Sequence, residues 1–228
     1  MAIKNATPDT AHPPIERGRF DPPKPSQSIF GTDAPLGATM FFDQNSEIYG
    51  ENEPADYVYK VLGGTVRTYK VLNDGRRQVG AFYLPGDVFG LEIGEEHTFS
   101  AEAITDCSVL VVKRSVLIAQ AARNNSVARD LWAATAQELR RTQEHLLLLI
   151  KNAQERVAAF LLEMADRSPA GGAIELPMSR QDIADYLGLT IETVSRTLTF
   201  FETAAAIELP RSRRIVLRNR SALNKLNA

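Results

Sequence analysis

The chain is poor in the residues that bind metals or form covalent crosslinks. Among its 228 residues there is one cysteine, Cys107, and there are three histidines, His12, His97 and His145. A single cysteine cannot form a disulfide within the chain, and it excludes the cysteine clusters of zinc and iron–sulfur sites. The scattered histidines do not form the His-x-His pattern of a metal-dependent barrel oxygenase. We therefore expect no bound metal and no cofactor.

Long apolar runs and catalytic motifs are also missing. The longest apolar run, Leu146 to Ile150, is much shorter than the roughly 20 residues that cross a bilayer. The N-terminus is rich in proline and lacks the basic and apolar regions of a secretory signal. The chain has neither a Gly-x-Ser-x-Gly elbow nor a glycine-rich phosphate loop. We expect a cytoplasmic protein that is not an enzyme and has no membrane segment.

The net charge of −2 conceals a difference between the two ends of the chain. Residues 1–150 carry fifteen lysines and arginines against nineteen acidic residues, whereas residues 179–228 carry eight against five. A basic C-terminal region beside an acidic body indicates a polyanionic partner at the C-terminal end.

Composition and patterning divide the chain into four segments. Residues 1–35 are a flexible lead-in that holds seven of the twelve prolines, and we assign no structure to them. Residues 36–123 read as a β-barrel, residues 124–150 as a long helix, and residues 151–228 as a mainly helical C-terminal domain.

Turn signals in the barrel segment, such as Gly63-Gly64 and Asp74-Gly75, separate short runs rich in β-branched and aromatic residues. Glycine adopts the positive φ of a tight hairpin, so these runs are predicted to pair as antiparallel strands of a small barrel or jelly roll. Such a barrel can hold one ligand or only its own side chains. We expect Cys107 to be a small core residue and His97 to lie at the surface. The predicted strands are Ala38–Phe42, Glu47–Tyr49, Tyr57–Leu62, Thr65–Val71, Gln78–Leu84, Thr98–Ile104 and Cys107–Val112.

The predicted long helix, capped by Asn125 or Ser126, extends to about Ile150. One of its faces repeats at alternating spacings of three and four, the period of a coiled coil. This face predicts a symmetric homodimer; the alternative is a helix packed only on its own barrel. The seam consists of Trp132, Thr135, Leu139, Thr142, Leu146 and Leu149, and Leu147, Leu148 and Ile150 widen it.

The C-terminal segment contains two capping boxes, Asn152 with Glu155 and Ser179 with Asp182, and each predicts the start of a helix. The first of these helices is expected to end in the stretch 168–172. The helix that begins after Ser179 is predicted to stop at Gly188, and Thr190 can cap the next one. Two short helices joined around a glycine are typical of a helix-turn-helix. Ile183, Leu187 and Val194 are expected to fill the wedge between them, with the small Ala184 at the crossing.

A predicted hairpin follows the second helix, and its tip at residues 210–214 carries Arg211, Arg213 and Arg214 like a wing. The outward positions of the second helix are Glu192, Thr193, Ser195 and Arg196. These polar side chains can read base edges, because arginine pairs with guanine and a carboxylate accepts from cytosine. Together, the two features favour DNA binding over a purely structural helix corner.

The segments Asp56-Tyr-Val-Tyr-Lys-Val-Leu-Gly-Gly64 and Leu84-Pro-Gly-Asp-Val-Phe-Gly90, the long helix and the winged helix-turn-helix resemble the cyclic-AMP receptor/fumarate-nitrate regulator (CRP/FNR) superfamily. The run Leu189-Thr-Ile-Glu-Thr-Val-Ser-Arg196 is similar to FixK-type regulators. The resemblance covers residues 38 to 228. It implies an α+β fold: an N-terminal double-stranded β-helix like that of cyclic-nucleotide-binding domains, a long dimerisation helix and a C-terminal winged helix-turn-helix.

The resemblance further implies a homodimeric transcription activator that binds palindromes with TTGAT-type half-sites and contacts RNA polymerase. Its target genes would serve microaerobic or anaerobic respiration or nitrogen fixation. By similarity, the base-reading positions are Glu192, Ser195 and Arg196, with Ile191 beside them. Double-stranded DNA would place its phosphates near Ser179, Gln181, Thr190 and Thr193, and near the wing residues Arg211 and Arg213.

The chain also departs from its relatives. Relatives that bind cyclic AMP hold its phosphate with an Arg-Ser pair, where this chain has Glu95-Glu96-His97-Thr98, so we expect no cyclic nucleotide. No cysteine precedes Cys107, so an iron–sulfur sensor is excluded. Some FixK-type proteins carry an oxidation-prone cysteine at the position of Ser179, and serine keeps the helix cap without that chemistry. The alternative is a regulator of the same superfamily that is gated by an unidentified small effector in the barrel.

Overall fold

A computed structural model describes residues 37–168 and 173–227. The lead-in at residues 1–35 and most of the expected helix end at residues 168–172 lie outside the described residues. The architecture is the expected one: an N-terminal double-stranded β-helix, a long helix, and a C-terminal helix-turn-helix with a β-hairpin wing.

Eight antiparallel strands form the barrel in two four-stranded sheets, with the strand orders β1-β8-β3-β6 and β2-β7-β4-β5. Each of the seven predicted runs is a strand whose ends match within two residues. The short β6 was not predicted. The strands are β1 (Ala38–Phe42), β2 (Glu47–Tyr49), β3 (Tyr57–Gly63), β4 (Val66–Val71), β5 (Arg77–Tyr83), β6 (Val88–Phe89), β7 (Ser100–Ala103) and β8 (Cys107–Lys113).

The turn between β3 and β4 requires glycine for two reasons. Gly64 has a φ of +82°, and a Cβ on it would lie 2.2 Å from the carbonyl oxygen of Asp106. Only glycine reaches this conformation and tolerates this approach without strain. The Gly63-Gly64 pair therefore fixes the connection that joins the two sheets.

Two helices follow the barrel, of which the first, α1 (Arg114–Ala121), was not predicted. The second, α2 (Asn125–Leu149), is capped by Asn124, whose side chain accepts a hydrogen bond from the backbone N–H of Ser126. The predicted caps, Asn125 and Ser126, were wrong by one or two residues. Both residues already belong to the helix, whereas a cap must precede the first helical residue.

One face of α2 packs on the barrel, and the opposite side is open. Val127, Leu131 and Ala134 join a core with strands β3 and β8, and Leu148 is buried among the C-terminal helices. On the other side Trp132, Leu139 and Leu146 are 77%, 59% and 65% exposed, while Leu149 is half-buried against the Gly188 turn. A single chain therefore leaves most of the predicted seam uncovered.

The C-terminal part, here called the winged helix, consists of four helices and a three-stranded sheet with the order β10-β11-β9. Pro210 is tolerated because β10 is an edge strand, where a missing N–H breaks no ladder. Strand β9 and helix α6 were not predicted. The elements are α3 (Ala153–Arg167), β9 (Ala173–Glu175), α4 (Arg180–Leu187), α5 (Ile191–Thr203), β10 (Ile207–Arg211), β11 (Arg214–Leu217) and α6 (Arg220–Asn227).

Candidate nucleic-acid interface

Local sequence signals define both ends of the two helices of the helix-turn-helix. Ser179 and Asp182 form the predicted capping box at the start of α4, and Gly188 ends α4 in the left-handed conformation with a φ of +61°. The Thr190 hydroxyl caps α5 by accepting from the backbone N–H of Thr193. These three caps set the angle at which α5 leaves the turn.

The wedge between the helices is filled as the spacing predicts. Ile183, Leu187 and Val194 are buried in one apolar cluster, and Ala184 is fully buried. Because this side of α5 is committed to the core, its opposite side is directed away from the protein.

Arg156 of α3 joins the turn to the end of α2, and the sequence analysis did not identify it. Its guanidinium donates to the carbonyl oxygens of Leu149 at 2.6 Å, Lys151 at 2.8 Å and Leu187 at 2.8 Å. These carbonyls lie at the ends of helices, where no helical N–H reaches them. The position of Arg156 four residues after the Asn152 cap does not predict a contact with Leu187, which lies 31 residues farther along the chain.

The outward side of α5, here called the recognition face, consists of Glu192, Ser195 and Arg196. Glu192 and Arg196 are exposed, Ser195 is half-buried, and the neighbouring Ile191 is exposed as well. Hydrogen bonds from the helix backbone and the Thr190 hydroxyl, with the charge of Arg196, lower the pKa of Glu192. The face therefore presents an ionised carboxylate and a guanidinium one helical turn apart.

The predicted phosphate-facing positions on the two helix N-termini are partly engaged within the protein. The Ser179 hydroxyl donates to Asp182 Oδ2 at 2.7 Å, and Gln181 Nε2 donates to Asp185 Oδ1 at 2.6 Å. The hydroxyl oxygens of Thr190 and Thr193 lie 3.1 Å apart. Helix N-termini attract anions, although the backbone N–H groups of Ser179 and Thr193 themselves already donate to Asp182 and Thr190.

The cations of the winged helix fall into two groups. Arg214, Arg218 and Arg220 form ion pairs with Glu175, Glu208 and Asp166, respectively. Arg180, Arg196, Arg211 and Arg213, in contrast, have no carboxylate within 4.0 Å in the part of the chain that the structure describes. This distinction separates the wing residues, since Arg211 and Arg213 are free and Arg214 is paired.

A small cavity lies between the start of α4 and the wing, with a volume of about 210 Å³. Ser179, Arg180, Ser212 and Arg213 line its polar side, while Leu176, Met178 and Ile183 form its floor. Arg180 and Ser212 were not among the predicted contacts. The position of Arg180 directly after a cap serine, at the start of the helix-turn-helix, is the signal that identifies it.

The barrel interior is occupied by aromatic side chains. Tyr49, Tyr59, Tyr83 and Phe89 are all buried in one cluster, and adjacent rings lie 5.0 to 6.1 Å apart. Burial raises the pKa of Tyr59 to about 12. In the same cluster, Cys107 is buried as predicted.

His97 is only 1% exposed, so the prediction of a surface histidine was wrong. Backbone hydrogen bonds with Asn52 and Glu53 draw its loop onto the barrel. Its ring stacks on Tyr49 at a centroid distance of 3.6 Å, and Nδ1 lies 3.2 Å from Glu92 Oε2. No sequence period marks this loop as inward-facing, since its backbone pairs with a segment more than 40 residues away.

Comparison with known proteins identifies the family. Residues 39–124 match the family model of the cyclic nucleotide-binding domain, and residues 155–226 match that of the Crp-like helix-turn-helix domain. The nitrogen fixation regulation protein FixK of Azorhizobium caulinodans is 53% identical over 211 residues, which are 90% of this chain and 84% of that protein. The chain is a FixK-type member of the CRP/FNR family of DNA-binding transcription regulators.

Two further members of the CRP/FNR family are similar to this chain. The structure of FixK2 from Bradyrhizobium japonicum is 56% identical, has a TM-score of 0.81, and covers 84% of this chain and 98% of its own. The transcriptional activatory protein AadR of Rhodopseudomonas palustris is 41% identical and covers 73% of this chain and 72% of its own length. None of the described helices is long and apolar enough to cross a membrane.

Two features of the barrel bear on the cyclic nucleotide for which its domain family is named. Four aromatic rings and His97 fill the interior, and the exposed carboxylates of Glu95 and Glu96 would repel a phosphate. Across residues 37–168 and 173–227, no three His, Cys, Asp or Glu side chains are grouped to hold a metal ion.

Proposed function

We propose that this protein is a homodimeric transcription activator that recognises an inverted repeat with TTGAT-type half-sites and works without a bound effector. The observation that carries the proposal is the recognition face, on which Glu192 and Arg196 are exposed and Ser195 is half-buried. It is flanked by guanidiniums that have no carboxylate partner among the described residues. Arg196 would pair with a guanine edge, and Glu192 would accept a hydrogen bond from a cytosine amino group.

Phosphate contacts would orient this face in the major groove. Ser179 and Arg180 at the start of α4 and Ser212 and Arg213 on the wing surround one cavity. An oxygen of the DNA backbone placed there would meet two guanidiniums, two hydroxyl groups and a helix N-terminus. Arg211 would add a contact farther out on the wing, while Gln181, Thr190 and Thr193 would add polar contacts between the two helices.

A second copy would cover the open side of α2. Trp132, Leu139 and Leu146 are exposed at a coiled-coil spacing, and apolar surface of this kind is stabilised by burial against an identical helix. Two-fold symmetry would then place two recognition helices one DNA turn, about 34 Å, apart. The inverted repeat follows from this symmetry.

An effector in the barrel is the competing proposal, and one observation favours it. Both ring nitrogens of His97 and Oε2 of Glu92 are buried without a hydrogen-bond partner among the described residues. The surrounding aromatic core leaves these groups little space for a ligand. Calorimetric titration with cyclic nucleotides and haem separates the two proposals, because the effector-free activator should give no heat of binding.

The biological role is proposed from the relatives. FixK of Azorhizobium caulinodans is a nitrogen fixation regulation protein, and AadR of Rhodopseudomonas palustris is a transcriptional activatory protein. We propose that this chain likewise activates genes of nitrogen fixation or of microaerobic and anaerobic respiration, through contact with RNA polymerase.

Selection of bound duplexes from a random oligonucleotide pool tests the proposal. We expect enrichment of an inverted repeat of TTGAT-type half-sites whose centres lie about 10 base pairs apart. Enrichment of single half-sites alone would contradict the dimer, and absence of any enriched sequence from folded protein would contradict specific recognition. The Arg196→Ala variant is the matched control, since it should bind the pool with less discrimination.

A further inference from the structure

Two arginines of the barrel form ion pairs with two aspartates of the helix-turn-helix. Arg67 on β4 donates to Asp182 Oδ1 at 2.6 Å, and Arg77 on β5 donates to the same oxygen at 2.6 Å. Arg77 also donates to Asp185 Oδ2 at 2.7 Å. These four residues are here called the arginine clasp. It joins the barrel to α4 through charged hydrogen bonds between residues that lie more than 100 positions apart in the sequence.

The Arg67–Asp182 part of the clasp is nearly dry and is held from both sides. Asp182 is 4% exposed, and Arg67 is fixed from behind by Glu102 at 2.8 Å. Both guanidiniums lie within 6 Å of the ring of Tyr69. Burial opposes ionisation of Asp182, but the hydrogen bonds from the Ser179 side chain and backbone, with the charges of Arg67 and Arg77, together lower its pKa. The carboxylate is therefore charged in the assembled state.

The clasp uses the side of α4 that faces the barrel and leaves the DNA side uncovered. Asp182 and Tyr186 of α4 are buried towards β5, whereas Gln181 is exposed. Asp182 Oδ2 also accepts from the backbone N–H of Ser179 at 2.9 Å and from its hydroxyl at 2.7 Å. The same carboxylate therefore connects the barrel to the cap that lines the proposed phosphate cavity.

We propose that Arg67 and Arg77 are positioning residues for DNA recognition. By engaging Asp182 and Asp185, they hold each winged helix at one angle to its barrel, and so they set the separation of the two recognition helices in a dimer. This inference rests on the proposed dimeric binding of an inverted repeat. A buried carboxylate is tolerated only where its charged partners keep good geometry, and the planar guanidinium fork restricts that geometry further.

In this arrangement a contact within the chain, rather than a bound effector, would position the recognition helices. The barrel interior is packed with its own aromatic rings, and the barrel surface reaches α4 directly through Arg67 and Arg77. A regulator with this contact would hold its recognition helices in register as soon as the dimer forms.

Charge reversal at the more exposed pair of the clasp, Arg77 and Asp185, tests the proposal. The variants are Arg77→Glu, Asp185→Arg and the double reversal, with Arg76→Glu as the matched control. Arg76 lies next to Arg77 on the same hairpin, but it pairs with Asp74 rather than with α4. Each full-length protein is titrated with a palindromic duplex, with a duplex that has one half-site, and with palindromes whose half-sites are moved by one or two base pairs.

We expect Arg77→Glu to weaken binding of the palindrome by about tenfold or more, because it removes the charged hydrogen bonds to both Asp182 and Asp185 and places a carboxylate beside them. Its affinity for the single half-site should stay within about twofold, since the recognition face is untouched. Moving the half-sites by one or two base pairs should reduce the affinity of Arg77→Glu less than it reduces the affinity of the wild type. The double reversal should recover part of the lost affinity, because it restores the pair with position 185 but not the hydrogen bond to Asp182. Arg76→Glu should behave like the wild type.

An unchanged preference for palindrome and spacing in Arg77→Glu would overturn the positioning role. An equal loss of affinity for the palindrome and for the single half-site would also overturn it, because such a result would mean that the winged helix itself is damaged. Thermal unfolding of every variant is recorded to check that it is folded. If Arg77→Glu does not fold, Arg77→Gln takes its place, and the expected change in the ratio of palindrome affinity to half-site affinity is the same. Wild-type protein that binds both duplexes equally would instead overturn the proposed dimeric function.

Discussion

The phenyl ring of Phe82, on barrel strand β5, lies 5.2 Å from the ring of Tyr186 on helix α4. Phe82 is 2% exposed and also makes an edge contact with Phe160 of α3 at 6.3 Å. The barrel and the winged helix thus share one apolar core, in addition to the arginine clasp. The two parts of the chain are expected to unfold together.

Replacement of Phe82 by alanine should separate them. Truncation of a buried phenylalanine costs about 3–5 kcal/mol of unfolding free energy, and here the resulting cavity lies between the two parts. We expect a lower midpoint and two resolved transitions in chemical denaturation followed by circular dichroism. Exposed Phe41 on β1 is the matched control, because Phe41→Ala should leave a single transition. A single transition in Phe82→Ala would contradict the shared core as the cooperative link.

Arg196→Ala should weaken binding of the cognate palindrome by about 1–3 kcal/mol, and it should relax base preference at one position of each half-site. The guanidinium is exposed on the recognition face and has no carboxylate partner in the described chain. Titration of duplexes substituted at each base pair measures the effect. Equal weakening on every sequence would show a phosphate contact instead of base reading.

Removal of the two free wing charges should change the salt dependence of DNA binding. The slope of log K against log[salt] should decrease by about 0.9 for each lost phosphate contact, so Arg211→Ala with Arg213→Ala should lower it by roughly two per protomer and by roughly four for a dimer on the palindrome. Arg218→Ala is the control, because Glu208 already engages that guanidinium. Equal slopes for the wing variant and wild type would argue against phosphate contacts at the wing.

Leu139→Glu should disrupt the proposed dimer. Leu139 is 59% exposed in one chain, and a carboxylate buried in a symmetric seam would face its own copy. We expect sedimentation to give mostly monomer at concentrations where the wild type is dimeric, with loss of palindrome binding. Ala133→Glu introduces the same charge on the exposed flank of α2 outside the seam. A dimeric Leu139→Glu protein would contradict the seam.

Stability should decrease through His145 as the pH falls below about 6.5. Burial lowers the pKa of His145 below its ordinary value of 6.5, and its ring packs edge-on against Tyr186 at 4.2 Å. The unfolded chain binds the proton more tightly, so stability is full above pH 6.5 and is lost as the pH falls. Denaturation at several pH values should show a flatter profile for His145→Gln; an identical profile would assign the effect to other groups.

Much of the local structure was predictable from short stretches of sequence. The alternating strands, the Ser179 and Asn152 capping boxes and the left-handed Gly188 depend on neighbouring residues, and each lies where the pattern indicated. The missed elements β6, β9, α1 and α6 are all short, with no more than eight residues each. Strand β9 exists because β11 pairs with it, so its own three residues contain too little information.

Side-chain partners across the fold were not predictable. His97 is buried through backbone pairing with Asn52 and Glu53, and Arg156 reaches carbonyls from two separate helix ends. Arg67 and Arg77 look like ordinary strand arginines on a half-exposed face. Their partners are set by the way in which α4 docks on β5, which no local spacing records.

By itself the amino-acid sequence determined the order of barrel, long helix and winged helix, and the chemical character of the recognition face. Hydrophobic period, caps and turn residues act over a few positions, so they can be read along the chain. Only the tertiary structure decided which arginines remain free for DNA, which are consumed by ion pairs, and how the barrel holds α4. Those outcomes depend on distances between residues far apart in sequence, and charged hydrogen bonds form only where folding brings such groups within about 3 Å.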